Sequence, residues 1–535
     1  MRKRKNIQIY MPIFLALMLV TGIFIGKVLI PENQQSDDFY ISRCKNKIDK
    51  VLSLIEHNYV DSVYKNKLEE AAIHALFDSL DPHSTYIPAE ELKKINEPLK
   101  GEFSGIGIRF NMIDDTVRVI ETIPNGPSEK VGIKPGDKII KINDTTVAGI
   151  NTSTNTIVSR LKGLKGTTVE VSIARRGVKK LIDFEITRDN IPLESVDVSY
   201  MINDSTGYIK LSNFSRKTPD EFFEGIKTLK DNGTQKIILD LRGNGGGYMG
   251  TSIQLADHFL KDGKLIVYTK GKYAKRKNYF ATSAGMLQDT DIVILIDEFS
   301  ASASEILAGA IQDNDRGTII GRLSFGKGLV QQQIPLEDGS AIRLTVARYY
   351  TPTGRCIQKS YRNGKEDYYN ELTRRYTNGE VFHPDSIHFN DSLKYITPNG
   401  DTVYGGGGIM PDIYVPKDTS NLSAYISKVI RKGLIYKFVF DYADNHRDQL
   451  NAFDNWKTLF EELDKKEILS QFYDYTANKG VKLTKEQTKE DQYELNVQLK
   501  ANIIRHIYGN EGYYPAIKDI DKTLERAIIF LENKD

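Results

Sequence analysis

Two continuous apolar runs, at residues 237–239 and 292–296, constrain the fold of this chain more than any other feature. Runs without polar alternation are typical of strands that are buried on both faces of a mixed sheet. Each run leads through a turn of small residues into a helical pattern, at 250–260 and at 304–313. Strands and helices that alternate in this way predict an α/β core, to which we assign residues 189–418.

The turn after the second run, residues 299–306, is rich in serine. A turn of small residues between a buried strand and a helix exposes a side chain at the edge of the sheet and directs backbone N–H groups towards a bound group. Ser302 in this turn is a candidate nucleophile, provided that a base removes its proton. Taken alone, the turn is more typical of an ordinary helix N-cap, where serine is common.

Lys327 is the candidate base. It lies between two glycines and next to apolar residues, and a lysine serves as a base when burial disfavours its charged form and lowers its pKa. A solvated surface lysine is the more common case. None of the eight histidines lies in a distinctive sequence context, but a histidine base stays an alternative, because members of a triad need not be close in sequence.

A glycine-rich segment, residues 240–250, follows the first apolar run. It contains the spacing G-x-G-x-x-G, which in a dinucleotide site is accompanied by an acidic residue at the end of the next strand. Here the next apolar segment, 265–269, is followed by Lys270 and Gly271. The dinucleotide interpretation is therefore disfavoured, and an oxyanion hole, which uses the same backbone geometry, is favoured.

These three segments in this order, with Lys327 25 positions after Ser302 and Gln331 four positions further on, resemble the carboxyl-terminal processing peptidases, or tail-specific proteases. The resemblance covers roughly residues 45–360 and 405–416. Other segments that resemble the family are 80–84, 348–355 and 408–412.

The resemblance implies a serine endopeptidase that recognises the C-terminal tails of its substrates. The family's nucleophile falls on Ser302, rather than on Ser300 or Ser304, and its general base falls on Lys327. Gln331 matches the residue that orients the lysine. The opposing hypothesis is a catalytically inactive, membrane-anchored PDZ adaptor, which has no reason to keep this serine, lysine and glutamine together.

By the same resemblance, the oxyanion-hole donors are the backbone N–H of Ala303 and that of Gly245 or Gly246. We expect neither a cofactor nor a metal ion. The two cysteines, Cys44 and Cys356, are too few for a cysteine-rich metal site or a disulfide framework.

In residues 101–188 apolar residues recur with a period of two, and the turns are rich in glycine and proline. This pattern predicts a small β domain. The segment 105–108 resembles the carboxylate-binding loop of a PDZ domain, in which backbone amides capture a free C-terminus and the peptide adds as a strand. The segment 132–137 is also similar to a PDZ domain. The resemblance implies that peptide is bound by Gly105, Ile106, Gly107, Ile108 and Leu161.

The N-terminal residues predict a membrane anchor. Four basic residues lie within 1–5, and the apolar stretch 7–26 is about long enough to cross a ~30 Å hydrocarbon core as a helix. The basic cluster favours a single pass through the inner membrane with the catalytic domains on the extracytoplasmic, periplasmic side. A cleaved signal peptide is the alternative, although no A-x-A cleavage site follows the stretch.

The composition excludes a typical nucleic-acid-binding protein, since 73 basic residues nearly balance 71 acidic residues and the net charge is +2. The expected partners are proteins or peptides with free C-termini, and the oligomeric state is left open.

The predicted fold class is a multidomain α/β chain: a mixed-sheet Ser/Lys protease core with an inserted PDZ-like β domain and helical N- and C-terminal regions. The predicted segments are an anchor at 1–31, a linker (32–41) and helical region within 32–100, the PDZ domain at 101–188, the core at 189–418 with an irregular insertion at 361–404, and a helical region at 419–535.

Overall fold

The computed structural model describes residues 11–29, 46–418, 423–483 and 488–534. The basic cluster at 1–5, the predicted linker at 32–41 and Cys44 lie outside these residues. The chain divides into two compact units, Met1–Leu80 and Asp81–Asp535. The domain boundaries drawn from the sequence pattern stay predictions.

The first unit is helical, as expected from its period of three to four residues. Its helices are Met11–Leu29, Lys47–Asn58 and Lys65–Asp78. Within the described residues, no helix combines the length and apolar character needed to cross a membrane. The prediction of a transmembrane anchor thus finds no support there.

The core of the second unit is a six-stranded mixed sheet that contains both apolar runs. All its strands run parallel except the first, which is antiparallel to its neighbour. In order across the sheet they are Val196–Met201, Thr206–Leu211, Lys236–Asp240, Asp291–Ile296, Thr318–Gly321 and Ile413–Tyr414. The two apolar runs are central and wholly buried, because helices cover both faces.

The helices that cover one face carry their apolar side chains into the main core. These helices are Thr218–Asp231, Met249–Phe259 and Ala303–Asp313. The C-terminal helix Lys522–Glu532 covers the other face with Leu524, Ala527 and Leu531. The serine-rich turn at 299–306, called the serine turn below, thus lies at the carboxyl end of a central strand, where the sheet, the glycine-rich loop and a helix meet.

A second, antiparallel sheet brings the lysine segment to the same edge. Its long strand, Ala341–Tyr350, pairs on one side with Leu329–Pro335 and on the other with Thr85–Ile87 and Leu265–Lys270. Leu265–Lys270 also pairs with Lys277–Phe280. The helix Ala89–Lys100 follows the strand Thr85–Ile87 along the chain.

The predicted small β domain is a six-stranded antiparallel sheet with two short helices. Its strands are Ile108–Ile113, Thr116–Thr122, Lys138–Ile142, Thr145–Thr146, Thr168–Ala174 and Ile182–Thr187, and its helices are Pro127–Val131 and Thr154–Leu161. Strands Glu102–Gly105 and Asp189–Pro192 pair with each other where the chain enters and leaves the domain. The two segments that connect the domain to the core are therefore hydrogen-bonded to each other.

The predicted irregular insertion at 361–404 is more ordered than its sequence suggests. It contains the helix Lys365–Thr377, the short 3₁₀ turns Pro384–Ser386 and Asp391–Leu393, and a hairpin of Lys394–Ile396 with Thr402–Tyr404. The sequence does not predict this helix because the residues it buries, Tyr368 and Arg375, are polar and give no apolar period.

The C-terminal region is helical, as predicted, and has its own apolar core. Its helices are Ala424–Arg431, Leu434–Asn445, Arg447–Leu450, Trp456–Lys465, Ile468–Asn478 and Lys489–Ile517, the last interrupted at Gly509, followed by the 3₁₀ turn Lys518–Ile520. The predicted fold class, a mixed α/β chain with a small β domain and helical regions at both ends, is confirmed.

Candidate active site

Ser302 occupies the N-cap position of the helix Ala303–Asp313 in a strained conformation, with φ of +56° and ψ of −109°. Such angles are rare for a residue with a side chain and are found where surrounding contacts enforce them. Here its backbone N–H donates to Glu305 Oε2 at 2.7 Å, and its carbonyl accepts from the Tyr349 hydroxyl at 3.2 Å. The strained turn therefore has contacts that hold it.

The neighbouring serines have structural hydrogen bonds instead. Ser300 is fully buried, and its hydroxyl donates to the carbonyl oxygen of Leu241 at 2.8 Å. Ser304 is also fully buried, and its hydroxyl donates to the carbonyl oxygen of Asn244 at 2.8 Å. Of these three serines, Ser302 is the one that faces an open cavity.

Asn244 holds the glycine-rich loop against the serine turn. It is fully buried, and its carbonyl oxygen also accepts from the backbone N–H of Ala301 at 3.0 Å. Two residues later, Gly246 has φ of +98°, and a Cβ there would lie 2.7 Å from the Ala301 carbonyl oxygen and 2.9 Å from Ser302 Cβ. A glycine is required because the two backbones touch.

Glu305 joins the serine turn to the lysine segment, and the sequence analysis missed it. This buried carboxylate accepts hydrogen bonds from the backbone N–H groups of Ser302, Gly326 and Lys327, at 2.7, 2.7 and 2.9 Å. It also accepts from the Ser324 hydroxyl at 2.5 Å. Burial raises the Glu305 pKa, although the four hydrogen bonds oppose that effect. The available signal was the glutamate three residues after Ser302, in the place of a capping box.

Lys327 is held through both its side chain and its backbone carbonyl. Its ammonium donates to Gln331 Oε1 at 3.1 Å, and Gln331 Nε2 donates to the backbone carbonyl of His83 at 2.6 Å. The Tyr349 hydroxyl donates to the Lys327 carbonyl oxygen at 2.8 Å. The geometry places Gln331 next to Lys327, as the sequence resemblance implies.

Burial lowers the pKa of Lys327, and the nearby positive charge of Arg343 lowers it further. Glu305 and Asp81 act in the opposite direction and raise it. Two carboxylates therefore favour the charged form of the lysine. Desolvation is nevertheless the largest effect, so the pKa stays below that of a free lysine.

The candidate residues line one open cavity of about 710 Å³. Ser302, Lys327 and Gln331 contribute to it together with both candidate glycines of the loop. Ala303 is fully buried directly behind Ser302, and its backbone nitrogen would lie 2.9 Å from a Cβ on Gly246. The tertiary structure thus brings together residues that are about 80 positions apart in sequence.

His83 is a second residue that sequence reasoning undervalued. It lies in the family-like segment 80–84, but its context was not considered distinctive. Burial, with the charges of Lys327 and Lys359, lowers its pKa to about 4, although Asp81 opposes this effect. Its ring nitrogen Nε2 lies 2.7 Å from the Tyr368 hydroxyl of the insertion. The His83 ring is therefore neutral near pH 7 and anchored to the insertion. The backbone carbonyl of the same residue accepts from Gln331 and positions it.

The predicted peptide-binding residues lie at one end of the small β domain. Gly105 ends a strand, Gly107 has φ of +73°, and Ile108 begins the edge strand Ile108–Ile113. Ile106 and Leu161 pack together in the buried core of the domain. Among the described residues the edge strand pairs with a neighbour on one side only, and an unpaired strand edge can accept an added strand.

No metal-binding cluster of three or more His, Cys, Asp or Glu residues occurs in the described part of the chain. The cavity around Ser302 is lined by glycines, amides, apolar groups and cations, with no carboxylate among them. That donor set does not suit a divalent metal ion.

Family models match three parts of the chain. Residues 205–367 match peptidase family S41, residues 104–186 match the PDZ domain, and residues 425–509 match a family of unknown function. The first match contains the serine turn, the glycine-rich loop and the lysine segment. The second contains the edge strand and the helix Thr154–Leu161.

Two curated relatives align with this chain over most of their own length. The carboxy-terminal processing protease CtpB of Bacillus subtilis is 35% identical over 62% of this chain and 68% of its own. The carboxy-terminal-processing protease of Bartonella bacilliformis is 38% identical over 64% of this chain and 80% of its own.

Among solved structures, the photosystem II D1 C-terminal processing protease aligns with 70% of this chain and 88% of its own, at 25% identity and a TM-score of 0.36. On the strength of the two curated relatives and the family match, the chain is a serine peptidase that belongs to the carboxy-terminal processing proteases of peptidase family S41.

Proposed function

We propose that this peptidase cleaves protein substrates with a dyad of Ser302 and Lys327, and selects them by their C-terminal residues. The observation that carries the proposal is one cavity lined both by Ser302 and by Lys327, whose pKa is lowered by burial. Gln331 and the His83 carbonyl fix the direction of the lysine side chain. The alternative of an inactive adaptor does not account for this arrangement.

In the first step, Ser302 Oγ attacks the carbonyl carbon of the scissile peptide bond. Its proton passes to neutral Lys327 Nζ, which then gives it to the leaving amine as the C–N bond breaks. Water hydrolyses the resulting acyl-enzyme, and Lys327 accepts the proton of that water and returns it to Ser302. Lys327 thus acts as base and acid in turn.

The oxyanion of each tetrahedral intermediate needs donors beside Ser302, and we assign the backbone N–H groups of Ala303 and Gly245 to this role. The sequence left Gly245 and Gly246 as alternatives. The Gly246 N–H already donates to Asn244 Oδ1 at 2.9 Å. Gly245 is therefore the better candidate.

The test compares Ser302→Ala, Lys327→Ala and the double variant on an unfolded protein substrate. Each single variant should lose nearly all activity, and the double variant should be no worse, because the two residues act as one unit. Activity that persists in folded Ser302→Ala would refute the nucleophile.

For substrate selection, we propose that the amides of 106–108 bind a free C-terminal carboxylate while the substrate pairs with Ile108–Ile113. The open edge of this strand supports the proposal. Peptides with a free or an amidated C-terminus are titrated into the full-length Ser302→Ala protein. We expect at least about tenfold weaker binding after amidation. Equal affinities would rule the site out.

We also propose that the catalytic domains lie on the extracytoplasmic side of the inner membrane. The basic cluster at 1–5 supports this topology. Protease added to spheroplasts should degrade the catalytic domains. Full protection in intact spheroplasts, with degradation after lysis, would contradict the topology.

A further inference from the structure

The cavity around Ser302 has an unbalanced charge. Besides Lys327 it is lined by Arg343, Arg216 and Lys100, while no aspartate or glutamate lines it. In the part of the chain that the structure describes, none of these three side chains forms an ion pair with a carboxylate of the protein. A cleft lined by charges of one sign concentrates ligands of the opposite sign.

Arg343 is the most confined of these cations. It lies on the strand Ala341–Tyr350, and among the residues that the structure describes its guanidinium donates only to neutral amide oxygens, Gln333 Oε1 at 3.1 Å and Asn96 Oδ1 at 3.4 Å. Burial lowers its pKa, which reports that the charged form is poorly solvated. A half-buried guanidinium with only amide partners keeps donors available for a carboxylate.

Arg216 is the second arginine that lines this cavity. Its own guanidinium lies 5.6 Å from the ring centre of Tyr248, a residue of the glycine-rich loop that also lines the cavity. Arg216 is exposed, so it remains accessible to a ligand. The two arginines therefore border the same cavity as Ser302 from the second sheet and from the loop after Phe214.

We propose that Arg343, assisted by Arg216, forms a carboxylate-binding subsite that makes this peptidase prefer substrates with a carboxylate close to the scissile bond. The carboxylate comes from an Asp or Glu side chain or from the end of the substrate chain. The proposal rests on the proposed function, since it concerns substrates cleaved at Ser302. Arg343 acts here as a specificity-determining residue.

The test uses internally quenched peptides that are identical except at one position within a few residues of the cleaved bond. That position carries Glu, Gln or Lys. A second pair places a free or an amidated C-terminus at the same distance. We expect kcat/KM to be about tenfold higher for Glu than for Gln, as for a charge-assisted hydrogen bond. If the recognised carboxylate is the end of the substrate chain, kcat/KM is instead higher for the free terminus than for the amidated one, and the Glu and Gln peptides are cleaved equally.

Arg343→Gln should reduce the preference to near unity, and Arg343→Glu should reverse it in favour of Lys. Each ratio is taken within one variant and on its own pH plateau, because Arg343 also affects the pKa of Lys327. The ratio is then independent of the folded fraction. Arg348→Gln is the matched control, since Arg348 lies on the same strand and bonds to Tyr361 outside the cavity.

Equal cleavage of all peptides by the wild type, or a preference that survives Arg343→Gln, would overturn the subsite. In both cases Ser302-dependent cleavage of the Gln peptide would leave the proposed function intact. If no peptide is cleaved in a Ser302-dependent way, the proposed function itself fails, and the subsite fails with it.

Discussion

At the scale of single residues, the proposed base, Lys327, is a buried lysine rather than a solvated surface cation. Burial and Arg343 lower its pKa, while Glu305 and Asp81 limit the shift. As the proposed base, Lys327 must be neutral to accept a proton, so we expect the active fraction of the enzyme to grow as the pH rises through this pKa. Since the pKa lies below the value of about 10.4 for free lysine, the rise should be complete at lower pH than an exposed lysine would give.

Lys327→Arg should therefore reduce kcat by about a thousandfold, because a guanidinium cannot release its proton at usable pH. The measurement is kcat against pH for the wild type and the variant. Lys227→Arg, an exposed substitution on the helix Thr218–Asp231, is the control and should keep the wild-type profile. An active Lys327→Arg enzyme would show that another group takes the proton.

Glu305→Gln tests the carboxylate that joins the serine turn to the lysine segment. The amide nitrogen of glutamine would face backbone N–H donors that now bind a carboxylate oxygen. Leaving these buried donors unsatisfied should lower the free energy of unfolding by about 2 kcal/mol and reduce activity. Denaturant unfolding measures the loss, with exposed Glu525→Gln as the control. Unchanged stability in Glu305→Gln would contradict the assigned contacts.

At the scale of elements, the C-terminal helix Lys522–Glu532 is tied to the start of the glycine-rich loop. Its N-cap residue Asp521 accepts from Leu524 N–H at 3.0 Å and binds the Arg242 guanidinium with both oxygens, at 2.8 and 2.6 Å. Arg242 also bonds to buried Asp240 at the end of a central strand. Helix, strand and loop therefore share one ion-paired junction.

Asp521→Ala should lower the free energy of unfolding by about 3 kcal/mol, the sum of a lost cap and lost charge-assisted bonds. Thermal and denaturant unfolding measure this change. Asp519→Ala, at an exposed neighbour that pairs with Lys518, should change it by less than about 0.5 kcal/mol. Equal effects of the two substitutions would show that the junction adds no stability.

At the scale of the whole molecule, the PDZ domain is bound to the C-terminal helical region by polar contacts. Arg118 pairs with Asp441 at 3.0 Å and lies over the Phe440 ring, and Arg176 donates to Asn445 at 2.8 Å. Interfaces of this polar kind open more readily than an apolar core.

Arg118→Ala should accelerate amide hydrogen exchange in the helix Leu434–Asn445 by about tenfold, because a charged hydrogen bond across the interface is lost. Exchange measured by mass spectrometry reports each peptide separately. Arg109→Ala removes an ion pair with Glu121 that lies within the PDZ domain, and it should leave exchange in that helix unchanged. Equal exchange in Arg118→Ala and the wild type would contradict the role of this contact.

The sequence by itself determined the α/β core, the small β domain and the three chemical segments. Buried strands, tight glycine turns and a serine before a helix are local patterns, and local patterns are visible in a linear chain. The ordered insertion at 361–404 was missed because its helix buries polar side chains and so lacks an apolar period.

Only the tertiary structure decided which groups surround Ser302 and Lys327. Glu305 accepts from the backbone of Gly326 and Lys327, and the His83 carbonyl accepts from Gln331, through hydrogen bonds between segments that are distant in sequence. The position of Arg343 at the cavity depends on the pairing of its strand with Leu329–Pro335. Burial, charge balance and pKa arise from such long-range contacts, and therefore they are decided by the fold rather than by any local pattern.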